Sequence, residues 1–266
     1  MILVAPDSYK ECLPSADVAA AIASALEELL PGEKILSLPL ADGGEGTAEV
    51  LTRAMGGQMA EAVVPDPLGR PVTARYGIAG ETAIVEAAQA CGLQLLVPRE
   101  RNPLLTSSRG LGELLLTART QGCHRILIGL GGSATCDGGA GMLSVPGIRE
   151  ALEGTEMVVL CDVDNPFTGP AGAARVFAPQ KGASPEDVEL LEDRMLQQAS
   201  KILQDTGIDV TDLPGAGAAG GLGGALTAYF EARLQPGIEA VLAGCRLQRP
   251  RRSLSPGTPP HYPAPP

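Results

Sequence analysis

The sequence of 266 residues has few basic residues for its number of acidic ones. It contains 31 Asp and Glu but 20 Lys and Arg, which gives a formal net charge of −11. A surface that binds nucleic acid or an anionic membrane needs clustered Lys and Arg. The charge balance therefore argues against both kinds of partner and favours a small molecule.

The sequence also lacks a long apolar run. No stretch approaches the roughly 20 apolar residues of a membrane span. The first residues, MILVAPDSYK, have neither the charged start nor the cleavage site of a signal peptide. We therefore expect a cytoplasmic protein without membrane contact.

Motifs for several familiar kinds of site are missing. The six cysteines include no C-x-x-C pair and there are two histidines, so we expect buried or idle thiols rather than a zinc site. The sequence has no G-x-x-x-x-G-K-[ST] phosphate loop and no H-R-D or D-F-G kinase signature. GGSAT resembles a nucleophile elbow, but Thr135 stands where that motif needs its last glycine. These absences exclude the familiar nucleotide-binding classes and disfavour a serine hydrolase.

The apolar residues, 44% of the chain, are numerous enough for one large α/β domain or two smaller ones. Apolar runs predict strands at 2–6, 35–40, 124–130 and 156–161, and an antiparallel hairpin or meander at 60–86. Helical spacing predicts five helices. The first is capped by Ser15, the second ends near residue 55, the third covers 111–118, the fourth follows a capping box at Ser184, and the fifth ends at about Leu234. The segment GIEAVLAG is the last predicted core element. The alternation of strands and helices indicates a parallel sheet.

Four of the predicted strands run into loops that are rich in Gly, Asp or both. The four segments are ILVAPDSYK, ILSLPLADGGEG, ILIGLGGSATCDGG and EMVVLCDVDNP. Ligands of an open parallel sheet bind outside the carboxyl ends of its strands, so the four loops are expected to share one site. A single loop of this kind is equally well explained as a tight turn.

The charged residues in and near these loops suit phosphoryl transfer. This chemistry needs Mg²⁺ held by carboxylates, phosphates cradled by backbone amides, and a base for the attacking hydroxyl. Lys10 and Lys181 are equally well explained as solvated surface groups. The candidates are Asp7, Asp42, Glu45, Asp137, Asp162, Asp164, Lys10, Arg70, Arg109 and Lys181.

A second reading comes from GAGAAG at 215–220, which matches the dinucleotide-binding pattern G-x-G-x-x-G letter for letter. The match does not follow a firm strand, as that fingerprint requires. Close helix packing explains these glycines equally well, and a dinucleotide-dependent oxidoreductase stays an alternative.

Taken together, the motifs resemble those of one enzyme family. The segments APDSYKECLPSADVAAAI, PLADGGEGT, DPLGR, NPLLTSSRGLGEL, GGSATCDGGAGM, CDVDNPFTGP, FAPQKGAS and PGAGAAGGLGGAL closely resemble, in order, the motifs of the bacterial type I glycerate kinases over nearly all of residues 1–243. The resemblance implies phosphorylation of D-glycerate by ATP and Mg²⁺, usually at the 2-hydroxyl. It also implies two unlike α/β domains with the active site in the cleft between them.

The first implied domain is a Rossmann- or flavodoxin-like parallel sheet with flanking helices, and the second is a smaller mixed-sheet domain. We assign residues 1–60, 105–160 and 215–245 to the first domain, and 61–104 and 161–214 to the second. Residues 246–266 form a proline- and arginine-rich tail that cannot bury a core, and we predict that it is disordered.

The resemblance also implies roles for individual residues. Asp162 is expected to be the general base or to organise the metal, with Asp164 as a second Mg²⁺ ligand, and Asp7 and Lys10 are expected to be catalytic. Arg109 is a candidate to bind the glycerate carboxylate or a phosphate, because a guanidinium can grip either with two hydrogen bonds, and Lys181 would offset charge on the transferred group. The remaining binding candidates are Ser8, Asp42, Gly43, Gly44, Glu45, Arg70, Gly131, Gly132, Ser133, Asp137 and Asn165.

The sequence departs from the family pattern in three places. Cys136 stands where the family usually has Asn or a similar polar residue, and several dozen family residues are missing between Gly141 and the segment CDVDNP. The family's C-terminal region is replaced by the tail, as in a truncated or frame-shifted coding sequence. Missing strands would expose apolar surface and a sheet edge, which favours low stability or association as a homodimer. A non-catalytic remnant that still binds glycerate or nucleotide is therefore the alternative to an active kinase.

Overall fold

The computed structural model describes residues 1–7, 9, 12–41 and 43–244. Within these residues the strands form two sheets, one of two strands in the order β1-β2 and one of six strands in the order β3-β4-β5-β6-β7-β8. The strands are β1 (Ile2–Val4), β2 (Ile35–Ser37), β3 (Gln58–Pro65), β4 (Pro71–Ala79), β5 (Thr82–Glu86), β6 (Arg125–Gly129), β7 (Glu156–Leu160) and β8 (Arg233–Gln235). The expected α/β class is confirmed.

Ten α-helices accompany the strands in the described part of the chain. They are α1 (Ser15–Leu29), α2 (Thr47–Ala54), α3 (Ala88–Cys91), α4 (Arg109–Thr120), α5 (Ala140–Leu143), α6 (Ile148–Leu152), α7 (Ala173–Phe177), α8 (Pro185–Thr206), α9 (Ala218–Phe230) and α10 (Gly237–Gly244). None of the helices in these described ranges is both long and apolar enough to cross a membrane.

The register of the six-stranded sheet brings the carboxyl ends of four strands together. β3, β4 and β5 are antiparallel, as the predicted meander requires, and β5 to β8 are parallel. Glu86 is paired with Gly129, Gly129 with Leu160, and Leu160 with Gln235. The loops after β5, β6, β7 and β8 therefore start side by side at one edge of the sheet.

The first two strands do not join this sheet. β1 and β2 are parallel to each other, with Leu3 opposite Leu36, but they form a separate sheet. Leu3 and Leu36 are exposed. The expectation that all four predicted loop-bearing strands lie in one parallel sheet is therefore wrong for β1 and β2 in the described part of the chain.

Two predicted helix starts and one helix end can be compared with the structure. α8 begins with the expected capping box, in which Ser184 Oγ accepts from the Asp187 N–H and the Asp187 carboxylate accepts from the Ser184 N–H. Ser15 is the first residue of α1 rather than its cap and makes no capping hydrogen bond. The last predicted helix ends at Phe230 instead of Leu234, because 233–235 pair with β7 as strand β8.

The largest core cluster lies between the six-stranded sheet and helices α4 and α9. Ile126, Ile128, Leu111, Leu114 and Leu222 are its representative buried residues. A second cluster forms around α8 and Phe167, and a third packs α2 against the other face of the sheet. The first and third clusters therefore pack on opposite faces of the central strands β5, β6 and β7, whereas the second is built from helices and loops beside them.

The division into two domains stays a prediction. The sheet bears on it in one respect, since β5 and β6 pair directly although they lie on opposite sides of the expected boundary at 104 and 105. The predicted disordered tail at 246–266 lies outside the described residues.

Candidate functional site

The glycine loop after β2 packs against the loop after β6. The Gly131 N–H donates to the carbonyl oxygen of Gly43 at 3.5 Å. A Cβ at Gly129 would lie 2.6 Å from that same oxygen, and a Cβ at Gly131 would lie 2.7 Å from Gly44 Cα. Side chains at these positions would separate the loops, so the bare backbone serves loop-to-loop contact. Gly131 and Gly132 themselves are exposed.

The same loop reaches the end of β7. A Cβ at Gly43 would lie 3.1 Å from the Leu160 Cβ and 3.5 Å from Gly237 Cα. Gly43 has φ of +102°, a conformation that favours glycine. The loop's Gly43 N–H donates to Thr47 Oγ1 at 3.1 Å, which ties it to the first turn of α2. The second, third and fourth predicted site loops therefore meet at the edge of the six-stranded sheet.

Asp162 and Asp164 follow β7 at this edge, and both are exposed. Asp162 Oδ1 accepts a hydrogen bond from the Gly237 N–H at 3.0 Å, which fixes the carboxylate at the start of α10. Asn165 is half-buried and uses its side chain internally, since its Nδ2 donates to the carbonyl oxygen of Ala171 at 2.8 Å. The fourth loop thus offers two carboxylates to solvent and a structural amide.

The first loop contacts the second through a backbone hydrogen bond, and a cavity lies between them. The Leu40 N–H donates to the carbonyl oxygen of Pro6 at 2.9 Å. A cavity of about 620 Å³ lies between the two loops, and its lining includes Tyr9, Leu13, Glu45 and Val50. Glu45 and Asp7 are exposed. Ser8, Lys10 and Asp42 lie outside the described residues.

The donor set at β7 suits Mg²⁺, which usually takes one or two carboxylates together with substrate phosphates and water. Asp162 and Asp164 supply two exposed carboxylates at the strand end. Among residues 1–7, 9, 12–41 and 43–244 no group of three His, Cys, Asp or Glu side chains could hold a metal by itself. The arrangement therefore fits an ion that is shared with phosphates better than one held in a protein cage.

Asp137 is engaged within its own loop and with the start of α4. Its Oδ2 accepts hydrogen bonds from the N–H and hydroxyl of Ser108, both at 2.8 Å, and from the Gly141 N–H at 3.1 Å. Its Oδ1 accepts from the Gly139 N–H at 3.1 Å. The Asp137 carboxylate also borders a smaller cavity of about 350 Å³ that includes Arg194 and Lys201. These contacts make Asp137 an organiser of the third loop.

Lys181 is buried, with 3% of its surface exposed. Its ammonium group donates to Ser133 Oγ at 3.0 Å and to the carbonyl oxygen of Thr135 at 2.7 Å. Burial lowers the pKa of Lys181, while Cys136, Cys91 and Asp137 act in the opposite direction. The structure therefore places Lys181 beneath the third loop, where it holds Ser133 and Thr135.

The two predicted arginines are paired with carboxylates. Arg70 Nε lies 2.6 Å from Asp66 Oδ2 and its Nη1 lies 2.9 Å from Glu100 Oε1. Arg109 Nε lies 2.9 Å from Glu113 Oε1 one turn along α4. Both guanidinium side chains are 48% exposed. The Arg109 pair is a surface pair that contributes little to stability, whereas Arg70 contacts the buried carboxylate of Asp66.

The sequence analysis missed Glu86, the last residue of β5. This carboxylate is 3% exposed and lies opposite Gly129 in the sheet. Its Oε1 accepts from the Ala48 N–H at 2.7 Å. The pKa of Glu86 is raised to about 6, because burial and the charge of Glu45 raise it by more than hydrogen bonds from the Ala48 N–H, the Gln89 side chain and the Gly46 N–H lower it. An acidic residue directly after the apolar run TAIV is the signal that sequence reasoning could have used.

Comparisons with known proteins agree on one family. The family model described as "Glycerate kinase family" matches residues 2–150 and 143–253. The chain is 42% identical to glycerate 2-kinase of Escherichia coli K12, covering 93% of this chain and 73% of the relative, and 42% identical to glycerate kinase of Bacillus subtilis 168, covering 91% and 71%. A crystal structure from Salmonella typhimurium LT2, assigned as glycerate kinase 2, superposes with a TM-score of 0.82 at 42% identity and covers 92% of this chain and 74% of its own.

The comparisons also bear on the expected internal shortening. The two matched segments of the family model meet at 143–150, and the alignment with the Escherichia coli relative extends over 277 residues although this chain has 266. The relative therefore carries residues within the matched region that this chain lacks. In the structure, the overlap of the two matched segments extends from the last residue of α5 into α6.

Proposed function

Because the chain belongs to the glycerate kinase family, we propose that it transfers the γ-phosphoryl group of ATP to the 2-hydroxyl of D-glycerate. The observation that carries this proposal is the match of the family model to residues 2–150 and 143–253. The contact of Gly43 with Gly131 and the position of Asp162 beside Gly237 support it, because they gather three motif-bearing loops at one sheet edge.

In the proposed reaction, the 2-hydroxyl oxygen of glycerate bonds to the γ-phosphorus while the bond from that phosphorus to the β,γ-bridging oxygen breaks. Asp162 accepts the hydroxyl proton, and ADP leaves with the electron pair of the broken bond. Asp162 suits this role because its carboxylate is exposed yet held by the Gly237 N–H. A carboxylate base of ordinary strength is sufficient in phosphoryl transfer.

We propose Asp164 as a Mg²⁺ ligand, with Asp162 as a second ligand in the alternative in which it organises the metal instead of accepting the proton. When bound, Mg²⁺ would neutralise charge on the phosphates. The exposed amides of Gly131 and Gly132 are proposed to face the phosphates, since backbone N–H groups in glycine-rich turns bind anions. Asp7, Ser8, Lys10, Asp42 and Glu45 stay proposed members of the site from the first two loops.

The proposed roles of the cations follow from their surroundings. Arg109 is proposed to bind the glycerate carboxylate, because exchanging its surface partner Glu113 for a substrate carboxylate costs little free energy. Lys181 is buried, and its ammonium group is engaged with Ser133 and Thr135. We propose instead that Lys181 positions Ser133 and the backbone of the third loop.

We further propose a cytoplasmic homodimer. The separate β1-β2 sheet exposes Leu3 and Leu36, and an unpaired apolar sheet of this kind favours association. Light scattering coupled to size-exclusion chromatography measures the mass in solution, and a monomer at all concentrations contradicts the dimer.

A coupled assay of ADP release tests the proposed activity. ATP and Mg²⁺ are supplied with D-glycerate, with L-glycerate, or with D-lactate. D-lactate has the carboxylate and the 2-hydroxyl group of D-glycerate but lacks the 3-hydroxyl group. We expect ADP release above the background ATPase with D-glycerate. Binding of D-glycerate and ATP by calorimetry without ADP release would instead support the non-catalytic alternative.

A further inference from the structure

Glu86 is a buried carboxylate with one satisfied and one unsatisfied oxygen. Oε1 accepts from the Ala48 N–H at 2.7 Å. Oε2 is buried and has no partner within hydrogen-bond distance, although the Gln89 side chain and the Gly46 N–H face the carboxylate. A buried carboxylate with an unpaired oxygen costs folding free energy. The hydrogen bond from the Ala48 N–H offsets part of this cost.

The partner of Glu86 is the first turn of α2. Ala48 is the second residue of that helix, where backbone N–H groups have no partner within the helix and carry partial positive charge. Negative charge at this position holds the helix start, and a charge-assisted hydrogen bond is about twice as strong as a neutral one. Glu86 thus fastens α2 to the end of β5.

Fastening α2 also fixes the glycine loop before it. The Gly43 N–H donates to Thr47 Oγ1 and the Thr47 N–H donates to the carbonyl oxygen of Gly44 at 3.3 Å. The loop is therefore continuous with the helix turn that Glu86 holds. Its other side contacts Gly131 through the 3.5 Å hydrogen bond.

We propose that Glu86 is a positioning residue, which holds the loop of residues 43–47 against the carboxyl ends of β6 and β7 through its hydrogen bond to Ala48. We place it behind the site and out of contact with substrate, since its carboxylate is buried. The inference rests on the proposed function for its effect on turnover, but its effect on the loop is independent of any activity.

The test compares Glu86→Leu, which removes the acceptor, with Glu86→Gln, which keeps an oxygen for the Ala48 N–H. Hydrogen exchange of the backbone amides at 43–50 should rise about tenfold or more in Glu86→Leu, the factor that corresponds to losing one charge-assisted hydrogen bond. Glu86→Gln should exchange within about threefold of the wild type, because the neutral bond remains. Unchanged exchange in Glu86→Leu overturns the proposal.

Glu192 supplies a matched control. It is buried, its Oε1 accepts from the Gly169 N–H at 2.5 Å, and its Oε2 has no hydrogen-bond partner. Glu192→Leu should lower stability without changing exchange at 43–50. Equal increases in both Leu variants would show a general loss of stability and overturn the proposal.

Turnover of D-glycerate gives the second readout. We expect kcat of Glu86→Leu to fall by up to about a hundredfold, the size of effect that a displaced site element produces, while Glu86→Gln keeps most of the activity. If the wild type has no turnover, the proposed function fails and the exchange measurement still decides the role of Glu86.

If Glu86→Leu does not fold, Ala48→Pro removes the donor instead, because proline is tolerated in the first helical turn. Hydrogen exchange at 43–47 should then rise in Ala48→Pro. Exchange at the wild-type rate there overturns the proposal.

Discussion

The ammonium group of Lys181 donates a hydrogen bond to the hydroxyl of Ser133 at 3.0 Å. With its second bond to the carbonyl oxygen of Thr135, it supports the third site loop from beneath. Sequence reasoning assigned Lys181 to the transferred phosphoryl group, whereas the structure gives it a buried position. This difference has a measurable consequence.

Replacing Lys181 with Met should lower the free energy of unfolding by about 1–3 kcal/mol, since a buried hydroxyl and a carbonyl oxygen lose their donor. Because burial lowers the pKa of Lys181 below 10.5, the unfolded chain binds its proton more tightly than the folded chain. The stabilising effect of Lys181 should therefore increase as pH rises towards 10.5 and decrease as pH falls. Urea unfolding of both proteins at several pH values measures this difference. A constant difference contradicts the lowered pKa.

Asp162→Asn should reduce kcat by about 10²- to 10⁴-fold, the usual contribution of a general base. The amide oxygen can still accept from the Gly237 N–H, so the thermal unfolding temperature should stay close to that of the wild type. Asp164→Asn is the comparison for a proposed metal ligand. Its kcat should also fall, and a high Mg²⁺ concentration should restore part of it. Wild-type kcat in Asp162→Asn removes Asp162 from the role of base.

Asp137→Ala should lower the free energy of unfolding by about 3 kcal/mol, since the N–H groups and the Ser108 hydroxyl lose a charged acceptor. Asp137→Asn should have a smaller effect, because its amide oxygen replaces one of the two acceptors. Chemical denaturation measures both. If Asp137→Ala keeps full stability, the carboxylate does not organise the third loop.

Glu86→Gln should change how stability depends on pH. The pKa of Glu86 is about 6 in the folded protein and 4.5 is its usual value, so the folded chain binds the proton more tightly. Wild-type stability should therefore fall by about 2 kcal/mol from this group as pH rises from 4.5 through 6. Glu86→Gln has no carboxyl group to titrate here, so its stability should increase relative to that of the wild type over this pH interval. Parallel denaturation curves at pH 4.5 and pH 7.5 test it, and an unchanged difference contradicts the raised pKa.

Local sequence signals predicted the elements whose causes are themselves local. The capping box of Ser184 and Asp187 starts α8, and the apolar runs at β6 and β7 are buried strands. The glycine-rich loops after β2 and β6 contact each other and approach the end of β7, as the shared-site hypothesis requires.

Features that depend on distant pairing were missed. Residues 233–235 form β8 because β7 offers an open edge, and a short run next to a helix carries no sign of this. Likewise, the burial of Lys181 and the contact of Glu86 with Ala48 join segments far apart in sequence, here by 46 and 38 residues. A charged residue in or near a site loop predicted a role in the reaction. Only the packing distinguishes a charged side chain that faces solvent from one that holds the loop in place.

The central claim is that this chain phosphorylates D-glycerate at its 2-hydroxyl. Phosphorus NMR of the protein incubated with D-glycerate, ATP and Mg²⁺ identifies the product by comparison with authentic phosphoglycerates. We predict signals of 2-phosphoglycerate and ADP that are absent with Asp162→Asn. A spectrum that shows ATP unchanged, from protein that binds both substrates, would contradict the claim.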